Sequence, residues 1–340
     1  MSSKVIIIAG MHRSGTSLTT DLLRNMGVNI GNELLKVDSS NQFGFWEDMD
    51  FLGFHENLFK KRRSDYLVIS PELFMPDEEE TAYAKELIQK KSSQPLWGWK
   101  DPRTSLFLDF WHQLIPSANF IFVYRHPMES VLSLMKAAHR PIVLNPGGGF
   151  TSWKIYNECI LRFFEKHREK AILCHIHGIV QNYDVFLNLA SEKFDLTRMI
   201  SLEKIYHPGS LTSLPVPDWF NMFLKERYPG VLELYNKLQE NADLPFQDVI
   251  TGNLSDEQTM IFMDYTIKSL SGIYNRLWEW HHQLRDEKNQ IQEELNRIEQ
   301  TRDRLLVKEL EKHPRLMRLA SLIFDAATKV YRLLKRSTKR

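Results

Sequence analysis

The stretch that most constrains the fold is residues 5–23, VIIIAGMHRSGTSLTTDLL. A β-branched run from Val5 to Ile8 is followed by Gly10, and leucines then recur at helical spacing. This pattern predicts a buried strand, a glycine-containing loop and an α-helix. A loop that enters a helix N-terminus directs unpaired backbone N–H groups and the positive end of the helix dipole at one point. We therefore expect an anion site in this loop.

The anion-site candidates are five consecutive residues: Arg13, Ser14, Gly15, Thr16 and Ser17. Arg13 carries a full positive charge, and Gly15 allows the backbone to approach an anion closely. The spacing is similar to that of the nucleotide-binding P-loop, but Thr16 stands where that loop has lysine. A nucleoside triphosphatase needs this lysine on the terminal phosphates. The alternative interpretation is a glycine turn that binds nothing.

A second strand-to-helix junction also carries a cation. Residues 119–124, NFIFVY, predict a buried strand that ends at Arg125-His126-Pro127. A P-loop nucleotidase would have a magnesium-binding aspartate here, whereas a guanidinium suits a phosphate. Ser133, two turns into the next helix, adds a hydroxyl. Two anion sites beside one sheet indicate a ligand with phosphates at both ends, and His126 is interpreted as a turn residue.

Glu47 and Asp48 are the first carboxylates after the anion loop. Phe45 and Trp46 precede them, and burial beside aromatic rings could raise a carboxyl pKa toward a value useful for a general base. The same two carboxylates could instead cap or begin the following helix. The residues alone leave both interpretations open.

Lys100 and Asp101 end a short predicted strand, because Pro102 interrupts it. The carboxyl ends of parallel strands face one crevice, so these side chains are expected on the same side as Arg13. In the alternative interpretation, Lys100 and Asp101 only pair with each other at the surface.

Composition narrows the class of protein. The 340 residues carry 44 Lys and Arg against 43 Asp and Glu. Cys159 and Cys174 lie in apolar surroundings without metal-ligand spacing, which favours reduced core thiols. His175 and His177 have no third ligand nearby, so no metal is expected. No apolar run reaches the roughly 18 residues of a membrane span, and we expect a cytoplasmic protein.

The C-terminal part of the sequence is predicted to be a long helix, residues 255–313. Apolar residues recur at spacings of three and four, with Arg302 interrupting them: Leu277, Trp280, Leu284, Ile291, Leu295, Ile298 and Leu305. Three interpretations stay open: a homodimeric coiled coil through residues 273–310, a helix folded back on the catalytic domain, and a charged single helix.

Beyond Pro314, residues 315–340 contain eight Lys or Arg and one acidic residue, Asp325. Apolar residues share one face there, so the pattern predicts an amphipathic helix at an anionic membrane surface. A partner helix or a disordered basic tail are the alternatives. Because the basic residues concentrate in this tail and the rest of the chain is mildly acidic, nucleic-acid binding is not expected.

Together these patterns predict an α/β chain. We expect a P-loop-like, three-layer fold with a central, mainly parallel sheet over residues 1–254. A long helix would follow over 255–313, and a basic amphipathic tail over 314–340.

With GMHRSGTS, KDPR and VYRHPMESVLSLM in this order, the chain resembles the sulfotransferases that use 3′-phosphoadenosine 5′-phosphosulfate (PAPS), especially bacterial and carbohydrate-directed members. The resemblance implies that the loop from Arg13 to Ser17 binds the 5′-phosphosulfate, while Arg125 and Ser133 bind the 3′-phosphate. It implies Glu47 as the general base, ahead of Asp101 or Asp48, and places Lys100 and Arg13 at the sulfuryl group without a metal.

The chain also departs from this family. Cytosolic members have a tryptophan after the first loop and a histidine base in a Lys-Thr-His motif, whereas this chain has Leu18 and Lys100-Asp101-Pro102. Their late Arg-Lys-Gly motif has no counterpart, and the adenine contacts stay unassigned. The implied activity is sulfuryl transfer to a hydroxyl or amine of a carbohydrate or glycolipid. The alternatives are a P-loop kinase or nucleotidase and a non-catalytic, membrane-tethered scaffold.

Overall fold

The computed structural model describes residues 3–35, 45–65, 67, 74–137, 147–196, 211, 214–246, 251–252 and 254–312. The chain divides into two compact units, Met1–Arg276 and Leu277–Arg340. The predicted amphipathic tail over 314–340 lies outside the described residues and stays a prediction.

Four parallel strands form the central sheet in the order β2-β1-β3-β4. Their bounds are β1 Lys4–Ala9, β2 Leu96–Lys100, β3 Asn119–Tyr124 and β4 Ala171–His175. Ile8 of β1 is opposite Lys100 of β2 on one side and Ile121 of β3 on the other. The chain thus passes from β1 to one neighbour and later to the other, and such a switch point opens a crevice at the carboxyl ends of the strands.

Ten helices lie entirely within the described part of the first unit. They are α1 Thr16–Asn25, α2 Met49–Lys61, α3 Glu78–Lys91, α4 Leu108–Leu114, α5 Pro127–Lys136, α6 Gly148–Lys166, α7 Ile176–Gln181, α8 Tyr183–Phe194, α9 Asp218–Arg227 and α10 Val231–Asn241. Short 3-10 turns occupy Pro102–Leu106 and Arg168–Lys170. Two short strands, β5 Val216–Pro217 and β6 Thr251–Gly252, pair in parallel.

Both faces of the central sheet are covered. Ile7 belongs to an apolar cluster with residues of α2, α4 and α6, whereas Ile6 and Ile8 belong to a second cluster with α1, α7 and α8. This split follows from the alternation of side chains along a strand, and parallel sheets are stable only when both faces are buried. The predicted three-layer α/β fold with a parallel sheet is confirmed.

An aromatic cluster fixes α2 against β2. The Phe51 and Trp99 rings stack with centroids 4.1 Å apart, and Trp111 meets Trp99 edge-on at 4.9 Å. Buried aromatic pairs of this kind contribute about 1 kcal/mol beyond their area burial. The anchored helix begins two residues after Glu47, so its packing sets where that carboxylate lies.

The fourth strand is shorter than the alternating pattern of residues 171–177 suggests. It ends at His175, whose Nδ1 accepts a hydrogen bond from the backbone N–H of His177 and caps α7. His175 is therefore the last residue of the strand, and His177 lies on a helix.

The predicted long C-terminal helix is confirmed as α11, Asp256–Glu311. Ser255 and Gln258 form a reciprocal capping box, with hydrogen bonds of 2.9 and 3.2 Å. Within the first unit, Phe262 packs against Met128 and Leu132 of α5. No helix in the described ranges combines the length and the hydropathy that a membrane span requires.

Candidate active site

The loop between β1 and α1 has the backbone conformation of an anion site. Arg13 and Gly15 both have positive φ, 68° and 98°. Helix α1 then begins at Thr16 with no side-chain cap and no acidic residue in its first turn. The first N–H groups of a helix have no intrahelical acceptor, so this helix N-terminus can donate to an anion.

Two glycines allow this loop to lie close to its neighbours. A Cβ on Gly10 would overlap the carbonyl oxygen of Val123 and lie 2.7 Å from Ser14 Oγ. A Cβ on Gly15 would overlap the side chain of Ile176. Glycine is therefore required at both positions by the close packing of the loop on β3 and α7.

The loop hydroxyls differ in their surroundings. Ser14 Oγ is buried and has no hydrogen-bond partner among the described residues, whereas Ser17 Oγ donates to the Phe45 carbonyl at 3.2 Å. Thr16 is buried. A buried hydroxyl without a partner is costly, and an oxyanion at the uncapped end of α1 would satisfy it. These residues fit a phosphate-containing ligand.

The two predicted anion sites are in direct contact. Arg13 Nε donates to Ser133 Oγ at 2.9 Å. Arg13 lies in the loop after β1, and Ser133 lies on α5, which follows β3. The crevice between β1 and β3 therefore holds both sites.

Arg125 is oriented by a buried carboxylate. Its Nε donates to Glu129 Oε2 at 2.9 Å, one helical turn away. Glu129 also accepts from the Leu214 N–H at 2.7 Å and lies 3.0 Å from His177 Nε2. Burial alone would raise the pKa of Glu129, but Arg125 and His177 outweigh it and hold this pKa well below its ordinary value.

Glu129 is thus an ionised acceptor that fixes the guanidinium of Arg125. Sequence reasoning missed this residue, although its spacing of four from Arg125 on a predicted helix is a recognisable ion-pair signal. The contribution of His177 was not foreseeable, because it joins the network from another helix, 48 residues away.

His126 has a structural role. Its Nδ1 accepts from the Met128 N–H at 3.3 Å and caps α5. Burial lowers the pKa of His126 to about 4, so the ring is neutral near pH 7. The interpretation as a turn residue is confirmed.

Glu47 and Lys100 form a buried ion pair. Lys100 Nζ donates to Glu47 Oε1 at 2.6 Å, and both side chains are almost completely buried. Burial raises the pKa of Glu47, although Lys100 opposes the shift. Glu47 Oε2 is buried without a hydrogen-bond partner in the described structure, so one carboxylate oxygen is available to accept a proton.

The backbone around Glu47 is held from two sides. Its carbonyl accepts from the Leu35 N–H at 2.8 Å. The preceding Trp46 ring lies under the guanidinium of Arg24 of α1, 3.8 Å from its centroid. These contacts connect the candidate base to the helix that begins at the anion loop.

Asp48 caps α2 and is engaged at both oxygens. Oδ1 accepts from the Asp50 N–H at 3.0 Å, and Oδ2 accepts from Lys91 Nζ at 2.6 Å. Asp48 therefore takes the capping role, and the assignment of Glu47 as a base stays a prediction.

Asp101 is engaged as well. Oδ2 lies 2.8 Å from His55 Nδ1, and Oδ1 accepts from the backbone and guanidinium of Arg103 at 2.9 and 3.0 Å. Burial would raise the pKa of Asp101, but Arg103 and His55 hold it well below its ordinary value. Trp111 Nε1 donates to His55 Nε2 at 3.1 Å, which leaves Nδ1 as the protonated nitrogen facing Asp101. Asp101 is therefore a structural carboxylate.

No group of three or more His, Cys, Asp or Glu in the described ranges is arranged to hold a metal ion. Cys159 and Cys174 are both buried free thiols.

Comparison with known proteins identifies part of the chain. Residues 5–154 match the family model described as the sulfotransferase family. No curated protein sequence matches.

Three solved structures are similar to this chain. Sulfotransferase STF9 from Mycobacterium avium is 14% identical over 72% of this chain and 78% of its own, with a TM-score of 0.48. The sulfotransferase domain of the Synechococcus PCC 7002 olefin synthase is 16% identical over 77% and 94%, with a TM-score of 0.39. Sulfotransferase STF1 from Mycobacterium tuberculosis is 14% identical over 68% and 77%, with a TM-score of 0.38.

The segment that matches the family model contains the anion loop, Glu47, Lys100, Arg125 and Ser133. Over this segment the chain is similar to the sulfotransferase family, in agreement with the resemblance that its ordered motifs carry.

Proposed function

We propose that this protein transfers a sulfuryl group from PAPS to a hydroxyl or amine of a carbohydrate or glycolipid-type acceptor. The observation that carries the proposal is the 2.9 Å hydrogen bond between Arg13 and Ser133. It joins two anion-binding elements that lie 120 residues apart in the sequence. A single crevice with a cationic group at each site suits a ligand with two anionic ends.

The donor-binding residues divide into two groups. At the 5′ end, the backbone N–H groups at the start of α1 act with the side chains of Arg13, Ser14, Thr16 and Ser17. At the 3′ end, Arg125, oriented by Glu129, acts with Ser133. PAPS supplies the sulfuryl group, bonded to a phosphate that leaves when the acceptor oxygen or nitrogen takes its place.

Glu47 is the proposed general base. Its free oxygen takes the proton of the acceptor hydroxyl while the raised pKa keeps the carboxyl group a stronger base than an exposed glutamate. Lys100 holds the other oxygen at 2.6 Å. Lys100 and Arg13 provide the positive charge that stabilises negative charge developing on the sulfuryl and leaving oxygens.

Calorimetry tests donor binding. We expect adenosine 3′,5′-bisphosphate to bind in the micromolar range without magnesium, and Arg125→Ala to abolish this binding. Preference for ATP with magnesium would instead identify a P-loop kinase or nucleotidase. Binding of neither nucleotide would support a non-catalytic scaffold.

Turnover of labelled PAPS with a panel of acceptors tests the reaction itself. We expect sulfation of a carbohydrate or glycolipid, and we expect Glu47→Gln to abolish turnover while leaving bisphosphate affinity nearly unchanged. An active Glu47→Gln variant would move the base role to another carboxylate and contradict the assignment.

We further propose a cytoplasmic enzyme with three parts: a catalytic domain over 1–254, a helix over 255–313 and a membrane-surface tail over 314–340. The eight basic residues of the tail support this assignment. Deletion after His313 is expected to abolish binding to anionic lipid vesicles. Undiminished binding by the truncated chain would refute the role of the tail.

A further inference from the structure

The second unit presents an apolar stripe on α11. Leucine or isoleucine recurs at intervals of seven, and these side chains are 44–65% exposed: Leu277, Leu284, Ile291, Ile298 and Leu305. Strict seven-residue repetition is the pattern of one of the two seam positions of a coiled coil. We assign it to the d position, because the residue four positions after Ile291 is Leu295, whereas the residue three positions after it is Glu294. The stripe is therefore suited to another helix.

The residues at the other seam position, four residues after each of these, distinguish a parallel from an antiparallel pair of helices. This position holds His281, Lys288, Leu295 and Arg302. In a parallel, in-register pair, each of these residues lies opposite its own copy. Lys288 would then face a second Lys288 within the seam, which is unfavourable because like charges would be desolvated together.

The residues that flank the seam also disfavour the parallel arrangement. In the seven-residue repeat abcdefg, a and d form the seam, and e and g flank it. A parallel pair places each g residue beside the e residue that lies five positions further along the partner helix. Glu294 would then lie beside Glu299 of the other copy, and symmetry repeats this repulsion. Both side chains are exposed along the helix.

An antiparallel arrangement removes most of these conflicts. We align the two antiparallel copies so that Glu293 of one is level with Glu293 of the other. Leu295 then packs on Ile291 of the other copy, and Lys288 faces an apolar residue, Ile298. On one flank Arg285 meets Glu299 of the other copy, and symmetry gives two such ion pairs. Among these flanking residues one like-charge contact remains, between Glu294 and Glu294 of the other copy.

We propose that residues 277–305 bind a second copy of this chain as an antiparallel, two-stranded coiled coil. The apolar stripe supplies the seam, and the Arg285–Glu299 pairs supply the direction. This inference concerns assembly and does not rest on the proposed sulfotransferase function.

Thiol crosslinking of the full chain tests the direction. In the antiparallel pair, residue 292 of one copy lies beside residue 292 of the other. A short bismaleimide should therefore join two copies of the Gln292→Cys variant only if they are antiparallel. Ile298→Cys lies in the seam and faces its own copy only if they are parallel. The wild-type chain is the control, since both native cysteines are buried.

We expect a covalent dimer from Gln292→Cys and none from Ile298→Cys. The reverse result would overturn the proposal in favour of a parallel pair. A monomeric mass by light scattering, with no crosslinking of either variant, would also overturn it and favour a helix that folds back or stands alone.

Charge reversal gives a second test with opposite signs. In the antiparallel pair, Glu299→Arg places an arginine against Arg285 and should raise the dimer dissociation constant severalfold. Adding Arg285→Glu should restore it. In a parallel pair, Glu299→Arg would instead relieve the repulsion by Glu294 and tighten the dimer. Sedimentation of the wild type and variants over a concentration series measures the outcome.

Discussion

Arg13 Nε donates a hydrogen bond to Ser133 Oγ at 2.9 Å, although the two residues lie 120 positions apart in the sequence. Arg13 has a φ of 68°, a left-handed conformation that costs a non-glycine residue about 1–2 kcal/mol. The hydrogen bond to Ser133 offsets part of this cost and aligns the guanidinium with the crevice between β1 and β3. The two proposed anion sites are therefore coupled through this contact.

Ser133→Ala should weaken binding of adenosine 3′,5′-bisphosphate about tenfold or more. The variant removes a hydroxyl from the ligand site and a hydrogen bond to a charged group, which contributes about 1.5–3 kcal/mol. Isothermal titration calorimetry measures the change. Ser130→Ala is the matched control, because Ser130 lies one turn earlier on α5 and its buried hydroxyl has no hydrogen-bond partner in the described structure. Equal losses in both variants would contradict the role of Ser133.

Glu129→Gln should selectively weaken recognition of the 3′-phosphate. The neutral amide loses the charge-assisted hydrogen bond that orients Arg125, and such bonds are about twice as strong as neutral ones. We expect roughly a tenfold loss of affinity for adenosine 3′,5′-bisphosphate and little change for adenosine 5′-monophosphate. Glu165→Gln, on the exposed face of α6, is the control. A uniform loss for both nucleotides would show that Glu129 only stabilises the fold.

The sequence predicted those parts of the site that depend on local pattern. The strand before Gly10 and the strand before Arg125 are apolar runs with clear ends, so the loops that follow them were placed correctly. Ser133 was assigned from its position in a motif. Its contact with Arg13 depends on how β1 and β3 pair, and no local signal encodes that pairing.

The contact between Glu47 and Lys100 could not be predicted from the sequence either. Both residues were identified, but 53 positions separate them, and their contact requires α2 to pack on β2 through Phe51 and Trp99. Likewise, the residues alone left Glu47 and Asp48 equivalent. The hydrogen bond from the Asp50 N–H assigns Asp48 to the cap, and Lys91 of α3 occupies its other oxygen.

The fall of kcat/KM on the acid side of the pH–rate profile should report the protonation of Glu47. Because burial raises its pKa above 4.5, the base becomes protonated, and kcat/KM falls, at a higher pH than for an exposed glutamate. Lys100→Met removes a cation that lowers this pKa, so the acid limb should move to still higher pH. Lys91→Met is the control, since it breaks the ion pair of Asp48 and should leave the limb in place. An acid limb that Lys100→Met leaves unmoved would rule out Glu47 as the titrating base.

Gly10→Ala and Gly53→Ala should change stability in opposite directions. A Cβ at Gly10 overlaps the Val123 carbonyl, so the loop must shift, and we expect a loss of about 1–3 kcal/mol. A Cβ at Gly53 meets no atom within 4 Å on α2, so alanine should stabilise the helix by about 0.5–1 kcal/mol. Urea unfolding of both variants measures the difference. Equal stabilities would show that the loop has room for a side chain.

Asp101→Asn should destabilise the protein by about 3–5 kcal/mol near pH 7, because it removes the buried carboxylate that pairs with both Arg103 and His55. The pKa of Asp101 is lower in the folded chain than the ordinary value of 3.8, so ionised Asp101 contributes its full stability above that value. The contribution is lost as the pH falls through the folded pKa, and the difference between wild type and variant should shrink below about pH 4. Urea unfolding at several pH values measures this, with Asp50→Asn as the control. Asp50 pairs with exposed Lys90 and partly exposed Lys91, and its loss should cost about 1 kcal/mol or less. Equal losses of stability in the two variants would show that burial does not strengthen the interactions of Asp101.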